Sequence, residues 1–142
     1  MNSIRDELIS LDTNEFIFGL RKDVSRPACE ILVFDKLSEL RIHLPLQILL
    51  ELQHNLTDEE TRRVLLAVMK AKAVTWDYAP APLELVRTWQ QRGAKKGDAV
   101  IAAHLEIAQV SYFVSENRHF IAEITDLPFK VLTSEEAVQL IE

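Results

Sequence analysis

Short apolar segments alternate with longer helical patterns along the whole chain. The apolar segments at 8–11, 41–44, 73–76, 112–114 and 129–132 have the length and composition of strands. Between them the pattern favours helices, among them 28–40, 46–56, a helix from Thr57 to about Lys72, and 99–108. Parallel strands need a long crossover connection, usually a helix, so this alternation predicts an α/β domain with a parallel sheet. The 142 residues are the size of one ordinary domain, spanning 1–142.

Several helix boundaries carry their own sequence signals. The segments 57–60 and 133–136 have the spacing of capping boxes, and Pro45 and Pro82 suit helix starts. The helix at 28–40 is expected to place five apolar residues roughly on one side: Ile31, Leu32, Phe34, Leu37 and Leu40. The C-terminal helix is expected to bury Ala137, Leu140 and Ile141.

Charge and composition limit the possible functions. A net charge of −6 argues against binding nucleic acid through a broad basic surface. A site built from acids contributes several of those charges, however, and a bound divalent ion would reverse the local field. No segment is apolar enough to span a membrane and no leader is expected at the N-terminus. The single cysteine, Cys29, cannot form an internal disulfide, which favours a reducing cytoplasm, and we expect it to pack in a helix as a small hydrophobe.

Polar residues follow two of the predicted strands. Asp12-Thr13-Asn14 follows the first strand, and Ser115-Glu116-Asn117 follows the fourth. Ligand sites of parallel α/β sheets lie at the carboxyl ends of strands, near the switch in strand order, so both segments are candidates for a site. Each acid also has an ordinary structural interpretation. Asp12 and Asp98 could cap helices, Glu51 could lie on a solvated face, and Asn117 could be a turn residue.

Three acids and an amide suit a hard divalent ion such as Mg²⁺, which prefers oxygen ligands. The four histidines lack paired spacing, and one cysteine does not make a zinc site of the usual pattern. With only three glycines there is no phosphate-binding loop, which disfavours a nucleotide-dependent small-molecule enzyme.

Four segments together resemble a PIN domain, in the family's order and separations, over almost the whole chain. They are Ile9-Ser10-Leu11-Asp12-Thr13-Asn14, the segment 46–52 with Glu51, the segment 97–103 with Asp98, and the segment 113–120. The resemblance implies a three-layer α/β/α fold with a mainly parallel sheet of about five strands. It also implies a Mg²⁺- or Mn²⁺-dependent endoribonuclease, commonly the toxin of a toxin–antitoxin pair.

The resemblance assigns roles residue by residue. Asp12, Glu51 and Asp98 match the family's acidic metal-binding residues. Thr13 and Asn14 match the polar residues after the first acid, and Ser115 matches a supporting hydroxyl. Mechanistically, Asp12 and Asp98 would be the principal ligands, with Glu51 binding through water or acting as a base.

The chain departs from the family at the fourth strand. Asn117 stands where many relatives have an acid, and His119 stands where a further Asp often occurs. Asn117 can still offer a neutral oxygen or orient water, and Glu116 lies beside it. Two functions therefore remain: a ribonuclease with a weaker metal site, or a PIN-like module that binds RNA or protein with weak or no nuclease activity.

Partners follow from the same resemblance. RNA would be the substrate, with Lys95, Lys96 or Arg118 contacting phosphates. An antitoxin would need an apolar surface, for which Leu83, Leu85, Val86 and Trp89, or the 28–40 helix, are candidates, although a core position is the competing interpretation for each. A homodimer is a further expectation.

Overall fold

Five parallel strands form the central sheet of the computed structural model, which describes residues 4–116, 124 and 126–141. The strands are β1 (Leu8–Leu11), β2 (Arg41–Pro45), β3 (Ala73–Asp77), β4 (Tyr112–Val114) and β5 (Lys130–Leu132). Their order is β3-β2-β1-β4-β5, and every pair of neighbours is parallel. The predicted α/β class with a parallel five-stranded sheet is confirmed.

Helices connect and cover the strands. A short 3-10 turn, Ile4–Asp6, precedes β1. The helices are α1 (Thr13–Leu20), α2 (Pro27–Glu30), α3 (Leu46–Asn55), α4 (Asp58–Val68), α5 (Leu83–Gln91), α6 (Lys96–Ile107) and α7 (Ser134–Ile141). A π-helical turn, Ile31–Lys36, and a 3-10 turn, Leu37–Glu39, extend α2. In the part of the chain that the structure describes, no helix is long and apolar enough to cross a membrane.

The strand order creates a switch point between β1 and β4. From β1 the chain moves through β2 to β3 at one edge, then returns across the sheet to β4 and β5. Since parallel crossovers are right-handed, these two directions of travel place helices on opposite faces. In the register of β1 with β4, Leu11 lies opposite Val114, and the Asp12 amide donates to the Val114 carbonyl at 2.9 Å. The residues that follow both strands therefore begin side by side.

Trp89 anchors the core beneath α5. It is fully buried, and its ring stacks on Phe129 at a centroid distance of 6.1 Å, while Phe113 meets Phe129 edge to face. Val86 is also buried, whereas Leu83 is 61% exposed. The core interpretation is therefore correct for Trp89 and Val86, and neither can contribute to an exposed partner surface.

Two predicted apolar faces are wrong in part. Ile31 and Phe34 are exposed, because the π-helical turn changes the angular spacing of the residues that follow α2. Val33 takes the buried place beside Leu32 instead. In α7, Leu140 is 41% exposed, while Ala137 and Ile141 are fully buried as predicted.

Helix boundaries follow most of the sequence signals. Thr57 and Glu60 form the predicted capping box, and Thr133 and Glu136 make the corresponding reciprocal bonds at α7. However, α4 ends at Val68, four residues before the predicted Lys72. Pro45 ends β2 and caps α3 rather than lying in its first turn.

Candidate functional site

Asp12 lies at the carboxyl end of β1, where it caps α1. Its Oδ1 accepts from the Thr13 amide at 2.8 Å, and its Oδ2 accepts from the Ser115 hydroxyl at 2.8 Å. The capping interpretation is correct, and it coexists with a position at the switch point. Ser115 is fully buried after β4, so the bond to Asp12 joins the ends of the two central strands.

The surroundings of the Asp12 carboxyl disfavour its ionised form. Burial raises its pKa from 3.8 to about 6, the hydrogen bonds from Ser115 and Thr13 oppose that rise, and the charges of Glu51 and Asp98 add to it. Desolvation and like charges both disfavour the ionised form. A cation placed among these groups would relieve both effects, which makes the cluster a candidate for function.

Glu51 lies in α3 and contacts Thr13, the residue after Asp12. Its Oε1 accepts from the Thr13 hydroxyl at 2.7 Å, and its Oε2 accepts from the Gln47 side-chain amide at 3.1 Å. A Cβ added at Gly97 would lie 3.4 Å from Glu51 Oε2, so the carboxylate packs close to this glycine. We did not predict the contacts of Gln47 and Gly97 from the sequence. For Gln47 the signal was present, since Gln47 and Glu51 are one helical turn apart.

Asp98 belongs to the first turn of α6. The helix begins at Lys96 with Lys95 as its cap residue, so the expectation that Asp98 could cap this helix is wrong. Burial raises the pKa of Asp98, the charge of Glu51 raises it further, and Lys95 lowers it. The structure thus brings Asp12, Glu51 and Asp98 close enough to repel one another.

The other candidate residues make no hydrogen bond to the three acids that the structure shows among the described residues, apart from Thr13 and Ser115. Asn14, Lys95 and Lys96 are exposed. The Glu116 carboxylate accepts from the Ser134 amide at 3.1 Å, at the start of α7. Asn117 and Arg118 lie outside the described residues, as does His119.

The three carboxylates fit a hard divalent cation by the chemistry of their donors. They offer only oxygen, and hydrogen bonds fix Asp12 and Glu51 while leaving further acceptor capacity. They stand too far apart to contribute three atoms within 4.8 Å of one another. One ion would therefore bind one or two of these carboxylates directly and the rest through water, as Mg²⁺ commonly does.

A second polar cluster joins α1, α2 and the segment after β4. Ligand atoms of Glu15, Cys29 and Glu116 all lie within 4.8 Å of one another, so this acidic cluster could hold a metal ion. Cys29 is buried in a helix, as predicted, but its sulfur faces polar groups rather than a wholly apolar core.

The fold and the first cluster define a class: a parallel α/β domain with carboxylates at the switch point of its sheet. Among solved structures, the chain is similar to one in the crystal structure of VapBC2 from Rickettsia felis bound to a DNA fragment from their promoter. The TM-score is 0.60 at 18% identity, covering 89% of this chain and 98% of that one. No protein-family model matches the chain, and no curated protein matches its sequence. The likeness shows that the fold is PIN-like, as predicted.

Proposed function

We propose that the protein is a metal-dependent endoribonuclease that hydrolyses RNA phosphodiesters. The observation that supports this most is the convergence of Asp12, Glu51 and Asp98 at the β1–β4 switch point. Mutual repulsion and burial make the cluster unfavourable without a counterion, and an all-oxygen donor set suits Mg²⁺ or Mn²⁺.

In this proposal Asp12 and Asp98 hold the ion, with Glu51 bound directly or through water. When bound, the ion lowers the pKa of an attacking water and stabilises charge on the phosphate. Thr13 and Ser115 keep the Asp12 carboxylate fixed through its two hydrogen bonds. Thr13 and Gln47 orient Glu51, which can accept a proton from water once oriented.

Lysines beside the acids can bind the substrate. Lys95 lies close enough to Asp98 to lower the pKa of that carboxyl, and Lys95 and Lys96 are both exposed. We propose that they contact RNA phosphates next to the scissile bond, which offsets the repulsion between an acidic protein and RNA. Asn117 and Arg118 are further candidates for positioning water and phosphate.

Cleavage of end-labelled single-stranded RNA with Mg²⁺ or Mn²⁺ tests the proposal. Asp12→Asn is the appropriate variant, because asparagine caps a helix about as well as aspartate and α1 should remain intact. We expect cleavage to be lost in Asp12→Asn and in EDTA, and retained in the matched amide control Glu59→Gln, whose side chain is 70% exposed. Cleavage that survives in Asp12→Asn would refute the proposal. RNA binding in EDTA, without cleavage in Mn²⁺, would favour the PIN-like binding module instead.

We also propose that the protein is a cytoplasmic toxin held inactive by an antitoxin. The neighbour with the same fold was crystallised as VapBC2, which supports the idea of a partner. Exposed apolar side chains along the extension of α2, Ile31 and Phe34, offer a surface for it. Coexpression with the product of an adjoining small reading frame should yield a stable complex that no longer cleaves RNA. A homodimer remains a proposal that sedimentation would test.

A further inference from the structure

Glu15, Cys29 and Glu116 come from three separate parts of the fold. Glu15 lies in α1, Cys29 in α2, and Glu116 follows β4. The Cys29 sulfur lies 3.8 Å from Glu15 Oε1, 3.7 Å from Glu116 Oε1 and 3.5 Å from the Ser134 hydroxyl oxygen. Glu15 and Cys29 are fully buried, so this is an enclosed group of polar atoms rather than a solvated acidic surface.

The hydrogen bonds within the cluster do not satisfy its polar atoms. One S–H can point to only one of the three oxygens around Cys29. Glu15 Oε2 is buried and has no hydrogen-bond partner among the described residues. An unpartnered carboxyl oxygen in a fully buried side chain is costly, and a bound cation is one way to satisfy it.

The distances approach those of a tetrahedral zinc site. With Zn–S of about 2.3 Å and Zn–O of about 2.0 Å, sulfur and oxygen ligands stand about 3.5 Å apart. The observed distances from the sulfur to the two glutamate oxygens, 3.8 and 3.7 Å, exceed this by only a few tenths of an ångström. Ser134 donates its hydroxyl and amide hydrogens to Glu116 Oε1 and so orients that carboxylate.

An open groove gives an ion a route to the cluster. It has a volume of about 680 Å³, and its lining includes Arg26, Pro27, Ile31, Glu116, Ser134 and Glu135. Arg26 opposes cation entry, but its guanidinium is stacked over Phe18 at 4.6 Å. Glu116 belongs both to the cluster and to the groove wall, so the groove leads directly to a ligand.

We propose that Glu15, Cys29 and Glu116 bind a Zn²⁺ ion at a site separate from Asp12, Glu51 and Asp98. The fourth ligand is water from the groove. Burial raises the pKa of the Cys29 thiol to about 12 and, with the charge of Glu116, that of Glu15 to about 9. Ion binding therefore releases the two protons of these groups to solvent, with thiolate and carboxylate taking up the metal. The bound ion ties together α1, α2 and the segment after β4.

Titration of the full-length protein with Co²⁺ tests this proposal, since cobalt reports a thiolate ligand by a charge-transfer absorption band. Cys29 is the only cysteine, so such a band can come only from this site. We expect one equivalent of Co²⁺ to produce the band, Zn²⁺ to remove it, and Cys29→Ser to abolish it. No band in the unmodified protein would overturn the proposal.

Glu15→Gln provides the variant that should fold normally, because glutamine matches the size of a protonated glutamic acid. We expect it to weaken Co²⁺ binding by more than the 10- to 100-fold that loss of an outer partner typically costs. Unchanged affinity in Glu15→Gln would contradict the proposal even if Cys29→Ser does not fold. The band should persist in Asp12→Asn, and its loss there would show that the two sites are not separate. None of these results depends on RNA cleavage.

Discussion

Replacing Glu15 by glutamine should stabilise the metal-free protein at neutral pH. The pKa of Glu15 is raised from 4.5 to about 9 by burial and by the charges of Glu116 and Asp12. Folding therefore requires this carboxyl to stay protonated at pH values where the unfolded chain has lost the proton. The contribution of this carboxyl to the free energy of unfolding is at its full value below pH 4.5. It declines between pH 4.5 and 9, by about 1.4 kcal/mol per pH unit. At pH 7 the protein has therefore lost about 3 kcal/mol of stability relative to pH 4.5 because of Glu15, and glutamine, which does not titrate, avoids this loss.

Urea denaturation in EDTA, followed by tryptophan fluorescence, measures this effect. We expect the free energy of unfolding of Glu15→Gln to exceed that of the unmodified protein, and this difference to grow by about 3 kcal/mol from pH 5.5 to pH 7.5. Other groups such as Asp12 titrate in both proteins, so the difference between the two curves isolates Glu15. Glu59→Gln, at a side chain that is 70% exposed, controls for the same exchange of glutamate for glutamine at a position that is not buried. Equal pH dependence in Glu15→Gln and the unmodified protein would refute the reasoning.

Three further outcomes follow from the structure. The affinity for Mn²⁺ should fall as the pH drops below about 6, the pKa of Asp12. Ser115→Ala should move that fall to higher pH, because the lost hydrogen bond lowers the pKa of Asp12 in the unmodified protein. Calorimetry at several pH values that shows no shift would contradict this. Gly19→Ala should cost about 1–3 kcal/mol in urea denaturation, because the added Cβ would lie 2.8 Å from the Cys29 carbonyl oxygen; an unchanged midpoint would mean that α2 moves away freely. Trp89→Ala should cost about 3–5 kcal/mol in the same assay, since the side chain is fully buried against Phe129, and a cost below 1 kcal/mol would show that the core closes around the gap.

The sequence predicted the sheet well because its strands are short apolar segments with clear boundaries. Leu8–Leu11 and Tyr112–Val114 have the predicted bounds, and the turn of the chain after each strand placed Asp12 and Ser115 at one edge. The exposure of the Ile31 and Phe34 side chains was not predictable, since a regular period of 3.6 residues gives no sign of a π-helical turn.

The site was predictable only in outline. Asp12 was predicted from its position at the end of β1, whereas Glu51 and Asp98 joined it only through the family resemblance. The approach of Glu51 and Asp98 to each other depends on packing between α3 and α6. Thr13 and Glu51 bond across 38 positions of sequence, a contact that no local pattern encodes. The second cluster also joins residues that are far apart in the sequence, because Cys29 contacts Glu116 across 87 positions.

The two roles of Asp12, helix cap and candidate ligand, make it a useful residue for mutational scanning. One library could be scored twice, once for cellular abundance and once for RNA cleavage. Alanine at this position should lower both scores, because the cap and the acid are lost together. Asparagine should keep abundance and lose cleavage. The gap between the two scores at a single codon would therefore separate what α1 needs to fold from what the site needs to react.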